Sequence, residues 1–242
     1  MNARELFKEG KLDEAVQALS VEVRDNPADA RRRTFLFELL CFQGQWDRAD
    51  KHLHVLADAN KEAQLGAVLY FSALHAERVR HDLFAKKDYS NAPAEGHQRG
   101  GTIDGRPFES VEDADPRVGP RLEIFAAGAY LWIPFEHIEA IEIQEPKRLR
   151  DLLWVPALVR TGPSFKDKEL GEVLLPVLAP FSHKHADGNI RLGRGTVWED
   201  SGDGTQVPSG QRMFGVDGEE VPLLEIRKIE FAGAAEAPAG QE

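Results

Sequence analysis

The phrase LFKEGKLDEAVQAL at residues 6–19 is answered by CFQGQWDRADKHL at residues 41–53, and few folds accommodate such an echo. Superposing the two places Gly10 over Gly44, Leu12 over Trp46, Asp13 over Asp47, Ala15 over Ala49 and Leu19 over Leu53, each pair 34 residues apart. A glycine takes the left-handed conformation that ends one helix, the alanine lets two helices approach closely, and the leucine one turn later fills the groove between them. One helical hairpin cannot cover its own apolar side, so a hairpin written twice predicts a stack in which neighbours cover each other.

Period and pattern match the tetratricopeptide-like (TPR-like) hairpin. Pro27 stands between the two copies, where it ends one helix and opens the next. Phe37 occupies a site that the pattern usually keeps small, so the second copy is degenerate. The stretch KEAQLGAVLYFSALHAERVRHDLF, with apolar residues at 65, 69, 70, 73, 74 and 83, predicts a long amphipathic helix that caps the array. Residues 1–85 are therefore expected to form a TPR-like helical domain.

The pattern then changes. Residues 86–120 are rich in Gly, Pro and Asp and read as a linker or an ordered connection, with a helical turn in FESVEDAD. From residue 121 short β-branched and aromatic runs alternate with turns, as in LEIFAAGAYLWIPFEHIEAIEI, and PKRLRDLLW predicts one short helix. Residues 121–231 are expected to form a mostly antiparallel β barrel or sandwich, and the small-residue end at 232–242 a disordered tail. The fold class is α+β with two domains.

With a net charge of −11 the chain repels phosphate backbones and anionic lipid, which argues against nucleic acid and membrane surfaces as partners. One cysteine allows no internal disulfide, and the charged N-terminal stretch lacks the apolar core of a secretory signal, so a cytoplasmic location is expected. Chemistry is harder to find. His183 and His185 share one side of an extended strand, but no third ligand at metal spacing accompanies them, and no cofactor is implied. The glycines of GNIRLGRGT lack the lysine of a phosphate loop. The alternative to a binding module is a metal-dependent hydrolase in the β-rich half, drawing on His137, His183, His185 and nearby carboxylates.

The repeat opening, followed in order by DADPRVGP, YLWIPF, RDLLWVPA and the closing GQRMFGVDGEEVPLLEIRKIEF, resembles the ImpE/TagJ family over about residues 1–231. That resemblance implies a non-enzymatic adaptor of bacterial type VI secretion. Its partners would be a helical segment of the small contractile-sheath subunit and the ClpV AAA+ ATPase. A guest helix would lie on the inner wall of the array, onto which repeat spacing projects Arg31, Thr34, Glu38, Cys41 and Phe42 of the second hairpin. The same register on the third segment gives Leu65, Val68, Ser72 and His75.

Overall fold

The computed structural model describes residues 1–89, 99–162 and 170–233. Its first part is helical. Helices α1 (Ala3–Lys8) and α2 (Leu12–Asp25) form one hairpin, α3 (Ala30–Phe42) and α4 (Trp46–Ala57) a second, and α5 (Lys61–Lys86) follows as a single rod about 39 Å long. The starts of α1, α3 and α5 are set by side chains that accept from free backbone N–H groups. Asn2 and Glu5 make a reciprocal capping box on α1, Asp29 caps α3 through the Arg32 N–H, and Asn60 caps α5 through the Ala63 N–H at 2.8 Å. Gly10 and Gly44 both adopt positive φ, at 77° and 68°, where each turns the chain from one helix into its partner.

The remainder is built on antiparallel pairs. Strands β1 (Gly101–Ile103), β2 (Arg106–Phe108) and β3 (Val111–Asp113) fall within the stretch expected to connect the halves, so FESVEDAD is extended rather than helical. Then come β4 (Arg121–Ala126), β5 (Ala129–Pro134), β6 (Ile138–Ile143), β7 (Trp154–Thr161) and β8 (Gly171–Pro176). A four-residue helix, α6 (Gly188–Arg191), precedes β9 (Thr196–Asp200), β10 (Gln206–Gly210), β11 (Met213–Val216), β12 (Glu219–Pro222) and β13 (Lys228–Phe231). The helix expected in PKRLRDLLW is a single 3-10 turn at Leu149–Leu152.

Eight strands form one sheet in the order β2-β1-β13-β6-β7-β8-β4-β5, three more form β12-β11-β3, and β9 and β10 form a ribbon. The outer strands β2 and β5 do not pair, so the sheet stays open and the expected barrel does not close. Pro107 within β2 removes a donor from one edge, while α5 packs beside β5 at the other.

Strand alternation divides the large sheet between two cores. Leu122, Ile124, Ile133, Val155, Ala157, Val173 and Leu175 join Phe214 of β11 in a core internal to the β-rich part. Phe125, Trp154 and Leu174 point the other way and join Leu36, Leu39, Phe42, Ala49 and Leu74 of the helices. The helical layer therefore shares its core with one face of the sheet. The expected tail lies almost wholly outside the described residues. Among those described, no helix is long and apolar enough to cross a membrane.

Candidate partner-binding groove

Where the helices meet the sheet, the joint is sealed by charge. Arg80 of α5 is buried and grips Glu123 of β4 with two bonds, Nε to Oε1 at 2.8 Å and Nη2 to Oε2 at 3.0 Å, while its Nη1 reaches Glu77 at 3.2 Å. Arg212 meets the same Glu123 at 3.2 Å, pairs with Asp113, and donates to the Pro176 carbonyl at 2.9 Å. Tyr130 donates to Glu123 as well, and the Trp154 indole donates to Glu77 at 3.0 Å. Burial alone would raise both glutamates, but Arg80 and Arg212 on Glu123, and the His81 bond with Arg80 on Glu77, hold each down to about 2. The carboxylates are ionised and satisfied.

A second clamp grips the repeat turns. Arg191 forms a forked pair with Asp13, both bonds 2.8 Å, and Arg194 donates to the Lys8 and Phe7 carbonyls that end α1. A methyl group placed on Gly10 would lie 2.4 Å from the Asn189 side chain, and one on Gly44 would lie 2.4 Å from the His183 ring. Both turn glycines thus serve two ends: they reverse the chain, and they leave room for a residue from the loop at 181–194.

These joints decide which part of the inner wall stays open. Cys41 and Phe42 are 1% and 0% exposed and lie in the shared core. Beside them Arg150 stacks over Tyr70 at 4.6 Å and approaches Glu38, while Leu149, Leu152, Leu153 and Trp154 fill the wall's C-terminal half. Its N-terminal half is left uncovered. There a cavity of about 500 Å³ is lined by Arg4, Phe7 and Lys8 of α1, Arg31, Thr34, Phe35 and Glu38 of α3, and Leu149. It adjoins a second, of about 610 Å³, with which it shares Arg4, Lys8, Arg31 and Phe35. Phe7 and Phe35 meet edge to face at 5.6 Å and give the groove an apolar floor.

The nine residues singled out from sequence therefore fall in three places. Arg31, Thr34 and Glu38 line the open cavity together. Cys41 and Phe42 lie behind it. Leu65, Val68, Ser72 and His75 occupy a single stripe of α5 that does not line this cavity, with Leu65 73% and Val68 56% exposed. Sequence reading missed Arg4, Phe7 and Lys8, although the repeat contains them: subtracting 34 from Glu38, Cys41 and Phe42 yields those three positions.

The histidines of the alternative reading do not converge. His183 meets His81, ring centres 4.9 Å apart, near Cys41 and Glu77, around a space of about 20 Å³ that holds roughly one water and no substrate. Burial and the neighbouring His81 pull His183 down to about 4. His137 lies beside Glu136, His185 beside Glu199, and neither lines that space. Among the described residues no group of three or more His, Cys, Asp or Glu side chains is placed to hold a metal.

Fold and groove together define an α+β protein in which helical hairpins rest on one face of an open antiparallel sheet and keep a short mixed-polarity groove. Over residues 105–230 the sequence matches the family described as ImpE protein. Across 96% of its length it is 33% identical to the type VI secretion system accessory component TagJ of Pseudomonas aeruginosa, covering 91% of that protein. The chain belongs to the ImpE family. Its fold is also that of a Vibrio parahaemolyticus protein solved by X-ray crystallography, with a TM-score of 0.84 and 21% identity over 96% of this chain and 98% of the other.

Proposed function

We propose that this protein is a non-enzymatic accessory adaptor of type VI secretion. It holds a helical segment of the small contractile-sheath subunit in the groove between α1 and α3, and assists its link to the ClpV AAA+ ATPase in the cytoplasm. The observation that carries the reading is the uncovered half of the inner wall, about 500 Å³ with an apolar floor and charged edges, in a chain that resembles an accessory component over nearly its whole length. The TPR-like register supports it, since inner-wall positions of both hairpins line the same cavity.

Cys41 and Phe42 act from behind by fixing α3 in place. Leu65, Val68, Ser72 and His75 form the adaptor's second face, toward the ATPase, because a linking protein needs two surfaces and this stripe, which does not line the groove, carries the exposed apolar side chains of Leu65 and Val68.

Three half-buried apolar contacts, at Phe7, Phe35 and Leu149, contribute about 2–4 kcal/mol gross, which by itself corresponds to roughly 1 mM or weaker before ordering costs are subtracted. Useful affinity therefore requires polar contacts as well. The test is calorimetric titration of the purified small sheath subunit into the full chain, with an Arg31→Glu/Thr34→Glu variant of unchanged melting temperature as comparison. The parent binds and the variant loses at least tenfold. Equal binding by both removes the groove from the account.

A further inference from the structure

Four acidic side chains in this fold are buried and well supplied with donors. Glu123 accepts from Arg80 and Tyr130, Glu77 from Arg80 and Trp154, Asp113 from Arg212 and the Asp115 N–H, and Asp115 from Arg117. Glu38 is the exception. Its side chain is 9% exposed, it accepts no hydrogen bond from any described residue, and its one ion pair is long, to the Arg150 Nε at 3.8 Å, an atom that is itself buried without a hydrogen-bond acceptor. A buried carboxylate short of donors is destabilising, and a fold tolerates it where something else completes it. This one faces the open cavity.

The cavity's edge shows the opposite deficit. Arg4, Lys8 and Arg31 are exposed, and among the described residues none of their side chains has a hydrogen-bond or ion-pair partner. Nearby acids are engaged elsewhere: Glu5 in the α1 cap, Glu22 and Asp29 with Arg32. A carboxylate held only by one long ion pair and no hydrogen bond thus lines the groove, with three cations at its edge whose side chains have no partner among the described residues.

From this charge pattern we infer that the guest is an amphipathic helix bearing one lysine or arginine on its apolar face, which docks on Glu38, and acidic residues along its flanks, which meet Arg4, Lys8 and Arg31. The inference rests on the groove being the partner site and adds the chemistry by which the partner is chosen. Apolar anchors alone leave binding weak; a charge-assisted bond formed out of water supplies both the missing affinity and the register of the guest along the groove. Burial, which outweighs the attraction of Arg150 and Arg148, pushes the empty Glu38 carboxyl up to about 7, with Asp151 acting in the same direction. An incoming ammonium reverses that imbalance.

The probe is a side-chain-stapled helical peptide with leucines on one face, glutamates on both flanks and a central lysine, compared with the same peptide carrying glutamine in place of the lysine, and with one whose flanks are lysines. Fluorescence anisotropy against the full chain is expected to rank the first tightest by roughly ten- to hundredfold. Glu38→Gln removes the preference for lysine over glutamine while leaving the glutamine peptide unaffected. Equal affinities for all three peptides, an equal loss for both central residues in Glu38→Gln, or no binding by any of them overturns the inference. The two claims fail separately. Glu38-dependent selection of the lysine peptide without sheath-subunit binding sinks the named partner and keeps this inference. Sheath-subunit binding that is indifferent to Glu38→Gln does the reverse.

Discussion

Replacing Glu123 with glutamine tests how the helices are held to the sheet. The side chain is fully buried and sits between two guanidinium groups, bonded twice to Arg80, approached by Arg212 at 3.2 Å and capped by Tyr130. Glutamine keeps the shape and one carbonyl acceptor, but loses the charge and presents an NH₂ to at least one arginine. Arg80 then retains only Glu77, and Arg212 only Asp113 and a carbonyl. Breaking a buried, hydrogen-bonded ion pair costs about 3–5 kcal/mol, because the surviving charge remains out of water. Against a total stability of roughly 5–15 kcal/mol that is a large share, and for a chain of this size it lowers the melting temperature by about 6–20 °C. Circular dichroism melts and urea titrations read the loss directly. The double variant Arg80→Met/Glu123→Leu should recover part of it, since an apolar pair of similar volume carries no desolvation penalty. A loss below about 1 kcal/mol for Glu123→Gln would show that the network is not what joins the layers.

Other expectations are smaller in scale. Because burial raises the folded Glu38 pKa to about 7, above the ordinary 4.5, its protonated form favours folding below about pH 4.5 and that support disappears as pH rises through 7; Glu38→Gln should therefore be more stable than the parent at pH 8, by at most about 3 kcal/mol, and no different near pH 4, as read from urea midpoints. Gly44→Ala forces a left-handed alanine, at about 1–2 kcal/mol, and drives a methyl group into the His183 ring, so the loss in thermal stability should shrink when His183→Ala is added. Val68→Asp, on an exposed site, should shift stability by less than about 0.5 kcal/mol while weakening capture of the ATPase in a pulldown.

Legibility from sequence follows the range over which each interaction acts. The hairpins were readable because their determinants are local: a glycine that must reverse the chain, small residues at close helix contacts, and a fixed 34-residue spacing, all present within one stretch of chain. Their consequence, which part of the inner wall stays open, was not readable, because it is set by residues far away in sequence. Leu149 and Arg150 come from a 3-10 turn, Asn189 and His183 press against glycines more than 130 residues earlier, and Glu123 meets Arg80 across 43 residues and Arg212 across 89. The phrases that carried the family resemblance lie at these joints. DADPRVGP contributes Asp113, Asp115 and Arg117, YLWIPF contributes Tyr130 and Trp132, and RDLLWVPA contributes Arg150 and Trp154. The charged lock explains why Glu123, Tyr130 and Trp154 stand in strands whose other residues are largely apolar: they lie on the side of the sheet that faces the helices. A hairpin pair this short leans on the sheet, and the lean covers the C-terminal half of the wall while leaving open the stretch between α1 and α3, where Glu38, held only by a long ion pair, lines a groove edged by Arg4, Lys8 and Arg31.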